Sequence, residues 1–159
     1  FILDHEYTDE HGIVHTVHMI ASGESWAAGP VILSWEDVTD TTNKQGYNVV
    51  IHEFAHKLDM LNGAANGFPP LHSNMDARAW TAIFSQAFEV FCKQVDKGDM
   101  LAIDPYAATS PAEFFAVLSE AFFVKPVEIK HCFPGVYQQL VAFYRQDPAA
   151  RWPTSTKRR

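Results

Sequence analysis

Apolar and polar positions alternate along this chain with two periods, one helical and one of two residues. A polar lead-in from Asp40 to Gly46 gives way to a largely apolar, β-branched run, Tyr47 to Ile51, after which Phe54, Ala55 and Leu58 recur at helical spacing. The helix so predicted begins near that lead-in and packs into a core with one polar stripe. It stops at Asn62-Gly63, where glycine permits the left-handed backbone a helix end often needs. A second helix follows Ser73-Asn74-Met75-Asp76, which offers a cap with an acid three residues on. It carries Trp80, Ile83, Phe84, Ala87, Phe88 and Phe91 at helical spacing and ends at Gly98. These aromatics read as core, not as cofactor contacts. Ser110, Pro111 and Glu113 open a third helix as cap, first and third positions, and it ends before Pro126. A last helix follows Pro134-Gly135 and carries Leu140, Phe143 and Tyr144 before Asp147-Pro148 breaks it.

Period-two alternation is scarcer. His15 to Ala21 reads as a strand, and Val31 to Trp35 as a second, short one closed by the acidic pair Glu36-Asp37. Phe1 to Thr16 is mixed and charged with a turn at Glu10-His11-Gly12, while Ser22 to Ser25 and Ala27 to Pro30 read as loop. His15 and His18, three apart on a strand, face opposite ways and make no second metal site. The inventory is mostly helical with a small sheet, an α+β class.

Composition narrows the choices. At 159 residues, 47% hydrophobic, with twelve Phe and four Trp, the chain can bury one good core and has little room for two. Residues 1–159 are therefore expected to form a single domain. A net charge of −7 argues against direct nucleic-acid binding, which needs a basic face. The basic tail Lys157-Arg158-Arg159 is too short to change that and reads as a solvated end. Cys92 and Cys132, far apart in apolar helical settings, are expected as buried free thiols. No run approaches the roughly 18–20 apolar residues of a membrane span, and no signal peptide is evident, so a cytoplasmic location is expected. The chain opens on Phe1, not Met, and an N-terminal part is expected to precede it.

The candidate chemistry lies in His52-Glu53-Phe54-Ala55-His56. Four residues apart on a helix, the two imidazoles leave one face a turn apart and can converge on a tetrahedral metal. Glu53 lies about 100° round the helix from His52, so it misses the ion and can act on a water beside it as general base. With eight His in the chain, this H-E-x-x-H pattern would arise by chance roughly 0.02 times. Burying two histidines and a glutamate costs free energy unless something satisfies them, which a metal does.

A catalytic zinc usually takes three protein ligands. The extended motif with a third histidine is excluded, because Asn62 stands six beyond His56. A later carboxylate must serve, from Glu89, Glu113, Glu120 or Glu128. Glu113 has a rival reading as the closing residue of a capping box begun by Ser110. Yet Glu113 and Glu120 lie seven apart on one face of a helix otherwise rich in Phe, Val, Leu and Ala, where carboxylates are rare unless paired or metal-bound. One can bind metal while the other supports a ligand histidine or the backbone. Asp59, three past His56, is a further supporting candidate or else a polar helix end. Tyr106, in the Asp104-Pro105-Tyr106 turn, can donate to the oxyanion of a tetrahedral intermediate, or is a core tyrosine.

His52 to Asp59, Asp104-Pro105-Tyr106-Ala107-Ala108-Thr109 and Glu113 to Glu120 together resemble the bacterial Mlc titration factor A family. That family comprises zinc metallopeptidases similar to the catalytic domain of anthrax lethal factor. The resemblance runs from the Val31 strand to Tyr144. It implies a zincin-like catalytic domain with a small sheet bounding the cleft, and one zinc per chain held by His52, His56 and Glu113. It implies Glu53 as general base, Tyr106 as transition-state stabiliser and an aminopeptidase type of activity on peptides. It also implies binding to the glucose-responsive repressor Mlc, and through it control of the sugar phosphotransferase system. The alternative function is a regulatory protein that sequesters the repressor, with hydrolysis incidental. Members of the family carry a region before this domain.

Overall fold

The structure, a computed structural model, describes residues 2–8, 14–20, 23–25, 29–40 and 48–151. Among these residues helices dominate, and the strands form two separate two-stranded antiparallel sheets. In the first, β1 (Ile2–Thr8) pairs with β2 (Val14–Ile20), with Ile2 opposite Ile20 and Thr8 opposite Val14. In the second, β3 (Gly23–Ser25) pairs with β4 (Val31–Leu33), Gly23 opposite Leu33.

Several expectations need correction here. The strand expected at His15 to Ala21 lies one residue earlier, and its partner β1 falls in a stretch too mixed in sequence to read as a strand. The turn at Glu10-His11-Gly12 lies outside the described residues. Gly23 to Ser25, expected as loop, is strand because β4 offers it a ladder, a tertiary contact that local composition does not encode. Val31 to Trp35 is strand only to Leu33. The Ser34 carbonyl accepts the Val38 N–H at 3.0 Å and opens helix α1 (Trp35–Asp40), so Trp35, Glu36 and Asp37 are helical.

Helix α2 (Val49–Asp59) carries the motif. Its cap is Asn48, whose side-chain oxygen accepts the Ile51 N–H at 3.1 Å. A 3-10 turn, Met60–Asn62, extends it to Gly63, whose φ of 144° is open to glycine. Helix α3 (Ala77–Lys97) is capped by Asp76, which accepts from Arg78 and Ala79, and not by Ser73. It ends in a left-handed Gly98 (φ 71°), with the Asp99 N–H returned to Gln94.

Four helices then begin on proline: α4 (Pro111–Val124), α5 (Pro126–Cys132), α6 (Pro134–Tyr144) and α7 (Pro148–Arg151). Pro126 and Pro148 do end the preceding helices, as expected, but each also starts a new one. Proline lacks only an N–H that the first helical turn leaves unbonded, and its fixed φ suits that position. The short helices α5 and α7 were not anticipated.

The core is aromatic. Trp80, Phe84 and Phe91 of α3 meet Phe114, Phe115, Leu118 and Phe122 of α4, with Ile129, Tyr137, Leu140 and Phe143 closing the far side. Trp80 stacks on Phe84 with centroids 4.2 Å apart, and Phe114 meets Phe84 edge-on. Each fully buried Phe or Leu contributes about 1.5–3 kcal/mol. That is ample to hold α4, which is buried along most of its length, as the central element against which α2 packs. Both cysteines are free; Cys92 is half-buried, whereas Cys132 at the end of α5 is exposed, not buried.

Candidate metal centre

Helix α2 packs against α4 and carries three buried polar residues, His52, Glu53 and Asp59. Ser110 fixes the first turn of α4 by accepting the Glu113 N–H at 3.2 Å, as a capping box requires. The reciprocal half of that box is not used. The Glu113 carboxylate turns to the imidazoles instead, with Oε2 at 3.1 Å from His52 Nε2 and 3.3 Å from His56 Nε2. The two Nε2 atoms are 3.2 Å apart, with the rings edge to face at 78°.

This triangle of donors has the size of a ligand set. Tetrahedral bonds of about 2.0–2.1 Å place ligand atoms about 3.3 Å apart. Among the described residues, His52, His56 and Glu113 are the one group of His, Cys, Asp and Glu able to hold a metal ion. Two imidazoles and a carboxylate suit a divalent cation of borderline softness. Without an ion the cluster must carry its own charge. Burial opposes charge on His52, but the Glu113 and Glu120 carboxylates outweigh it and push the imidazole up to about 9. Burial likewise opposes charge on Glu113, yet the two imidazoles bring its carboxyl down to about 2.

Of the four carboxylates the sequence offered, Glu89 and Glu128 are exposed, on α3 and α5. Glu120, on α4, is 3% exposed. Its Oε1 accepts the Asn48 N–H, and its Oε2 lies 3.5 Å from His52 Nδ1. That is ion-pair reach but long for a hydrogen bond, so the buried Nδ1 has no hydrogen-bond partner.

Glu53, next along α2, is also buried. Tyr106 sits in a 3-10 turn (Pro105–Ala108) whose cap, Asp104, accepts the Tyr106 N–H at 2.9 Å. Its ring centroid is 6.3 Å from that of His52, and at 53% exposure it is no core tyrosine. Asp59 is fully buried and anchors a loop: Oδ2 accepts the N–H groups of Asn66 and Gly67 at 2.8 and 2.7 Å, while Oδ1 has no partner. Burial raises its carboxyl above the ordinary range against the pull of those bonds. Asn48 and Gly67 meet the site through backbone groups, the Asn48 N–H on Glu120 and the Gly67 N–H on Asp59, which no residue pattern announces.

A helical domain that draws two histidines and a carboxylate to ligand spacing, with a buried glutamate next along the same helix, has the donor set of the metallopeptidase class. Comparison with known proteins narrows the class. The chain belongs to the family described as glucose-regulated metallo-peptidase M90, which it matches over residues 1–145. It is 45% identical over 154 residues to Mlc titration factor A of Yersinia enterocolitica, and 44% identical over the same length to that of Serratia proteamaculans. Those alignments cover 95% of this chain and 57% and 58% of the relatives, so the chain spans little more than half their length. No described helix is long and apolar enough to cross a membrane.

Proposed function

We propose that residues 1–159 form one zincin-like catalytic domain of a zinc-dependent peptidase of aminopeptidase type, working in the cytoplasm. The observation that carries this reading is the three-donor cluster of His52, His56 and Glu113 at 3.1–3.3 Å on a family-matched chain. These residues would hold one zinc ion, which when bound supplies a Lewis acid that polarises the scissile carbonyl and acidifies water. Glu53 accepts the proton of the attacking water and delivers it to the departing amine. The Tyr106 hydroxyl donates to the carbonyl oxygen as that atom gains charge. Strand β4 borders α2, and Lys57 Nζ of that helix donates to Gly29 O, two residues before the strand, at 2.7 Å. Among the described residues no third strand joins β3 and β4, so an extended peptide can pair with the β4 edge beside α2.

A second reading is favoured by the relatives' name, Mlc titration factor A: the chain binds Mlc, by the family resemblance a repressor through which the sugar phosphotransferase system is controlled, with hydrolysis incidental or confined to one substrate. Glu53→Gln separates the two. Zinc content by elemental analysis is expected to stay at one per chain while peptide hydrolysis falls by about 10²–10⁴-fold, the usual worth of a general base. Undiminished hydrolysis in that variant sinks the mechanism. Mlc binding retained by the variant supports recognition independent of chemistry.

A further inference from the structure

We propose that Glu120 is a positioning residue for the metal centre: its carboxylate holds the His52 ring with the proton on Nδ1, leaving Nε2 to face His56 and Glu113. The inference rests on the zinc reading above and concerns how that site is built. Glu120 lies in the middle of an apolar helix and is 3% exposed, so its charge is costly there unless both oxygens are used. They face two different donors on α2. Oε1 takes the N–H of Asn48, the cap of the helix that carries the histidines, and Oε2 faces His52 Nδ1 at 3.5 Å. That nitrogen is buried and has no hydrogen-bond partner. A shift of about 0.5 Å gives the pair ordinary N–H···O length.

The chemistry calls for a carboxylate and nothing else of that shape. Two N–H donors meet different oxygens of one side chain, and only an ionised acid presents an acceptor atom at both positions. Glutamine has the same outline but one oxygen, so whichever way its amide is turned, an NH₂ group faces either Asn48 N–H or His52 Nδ1–H. The proton fixed on Nδ1 puts the lone pair on Nε2, and the adjoining negative charge makes that lone pair a better donor to a cation. Helix α4 therefore supplies the site twice: Glu113 as a ligand and, two turns on, Glu120 as the group that aims another ligand.

The test compares zinc dissociation constants of the wild type and Glu120→Gln by competition with a chromophoric chelator. The thermal melt of each protein is followed metal-free. The variant is expected to bind zinc about 10- to 100-fold more weakly. Long-range ¹H–¹⁵N spectra of the zinc-loaded wild type are expected to place the His52 proton on Nδ1, and that proton's resonance is expected to move in the variant. A folded variant with unchanged zinc affinity overturns the proposal, even if its melt is lowered, because Glu120 would then only cap α2. Should the variant fail to fold, the wild-type spectrum decides: a His52 Nδ1–H resonance moved far downfield, as a bond to a carboxylate moves it, supports the proposal, and one without that displacement overturns it. A wild type that binds no zinc overturns the zinc reading itself, an outcome distinct from equal affinities in the two proteins.

Discussion

Gly67 lies against the backbone of Pro111, so close that a Cβ on Gly67 would come within 2.5 Å of the Pro111 carbonyl oxygen. Its N–H is held by Asp59 and its carbonyl by the indole N–H of Trp80 at 3.2 Å. One glycine thus joins the end of the histidine helix, the aromatic core and the first residue of the helix that carries Glu113. Its φ of 79° is already costly for any residue with a side chain. Gly67→Ala is expected to destabilise the fold by about 2–4 kcal/mol, adding a backbone clash to the left-handed penalty. Chemical denaturation of the metal-free protein measures it. A change within experimental error would mean that the loop yields without disturbing its neighbours.

Among the described residues Glu113 is the carboxylate that stands within hydrogen-bond distance of both Nε2 atoms. Replacing it by Ala removes a third of the donor set and leaves the buried His52 and the half-buried His56 without their carboxylate. The purified variant is expected to lose most of its zinc on dialysis, where the wild type keeps one per chain. Glu89→Ala and Glu128→Ala, at exposed positions, are expected to retain it. Full zinc occupancy without Glu113 would transfer the third-ligand role to another acid.

The donor pair His52 and His56 was legible because helical spacing alone puts i and i+4 on one face. Glu113 was legible only as one of four acids, since nothing in a sequence states which helix packs against which. What narrowed the field was a carboxylate on an apolar helix, and that argument picked out Glu113 and Glu120 together without separating their tasks. Helix ends marked by Gly98 and Ser110 were read correctly, because each cap is a local property. Strands β1 and β3 were missed for the opposite reason: a strand is stabilised by its partner, and the partner lies elsewhere in the chain. Helices α5 and α7 are hidden in the sequence because a proline that ends one helix gives no sign that it also starts the next.

The backbone of Tyr106 is fixed by its neighbours. Asp104 takes its N–H, and its carbonyl accepts both the Thr109 N–H and the Thr109 hydroxyl, at 3.0 and 2.6 Å. The half-exposed phenol is thereby presented beside His52 while contributing little to the core. Tyr106→Phe is expected to leave zinc content and the melt unchanged and to lower kcat about 10²–10³-fold with a smaller change in KM, the pattern of a donor used only in the transition state. A variant as fast as the wild type would remove the hydroxyl from the reaction.

Proton linkage gives the cluster a pH signature. In the metal-free protein the His52 imidazole is raised to about 9 and the Glu113 carboxyl lowered to about 2. A raised histidine contributes stability that is complete below its unfolded value of 6.5 and vanishes as pH climbs through about 9. A lowered glutamate contributes stability that is complete above its unfolded value of 4.5 and vanishes as pH falls through about 2. Both contributions are whole between 4.5 and 6.5, so from this pair the metal-free protein gains most there. A cation needs the Nε2 lone pair, and below pH 9 a proton stands in its way. Zinc uptake at pH 7.5 must then release about one proton from His52, and affinity must rise about tenfold per pH unit from 7 toward 9. The stabilisation conferred by added zinc must grow over the same interval, as the metal-free protein loses the benefit of its charged pair. Calorimetric titration in two buffers of different ionisation enthalpy counts the protons directly. Zinc binding at pH 7.5 with no proton released would mean that the metal-free cluster holds His52 neutral, against the pull of two carboxylates.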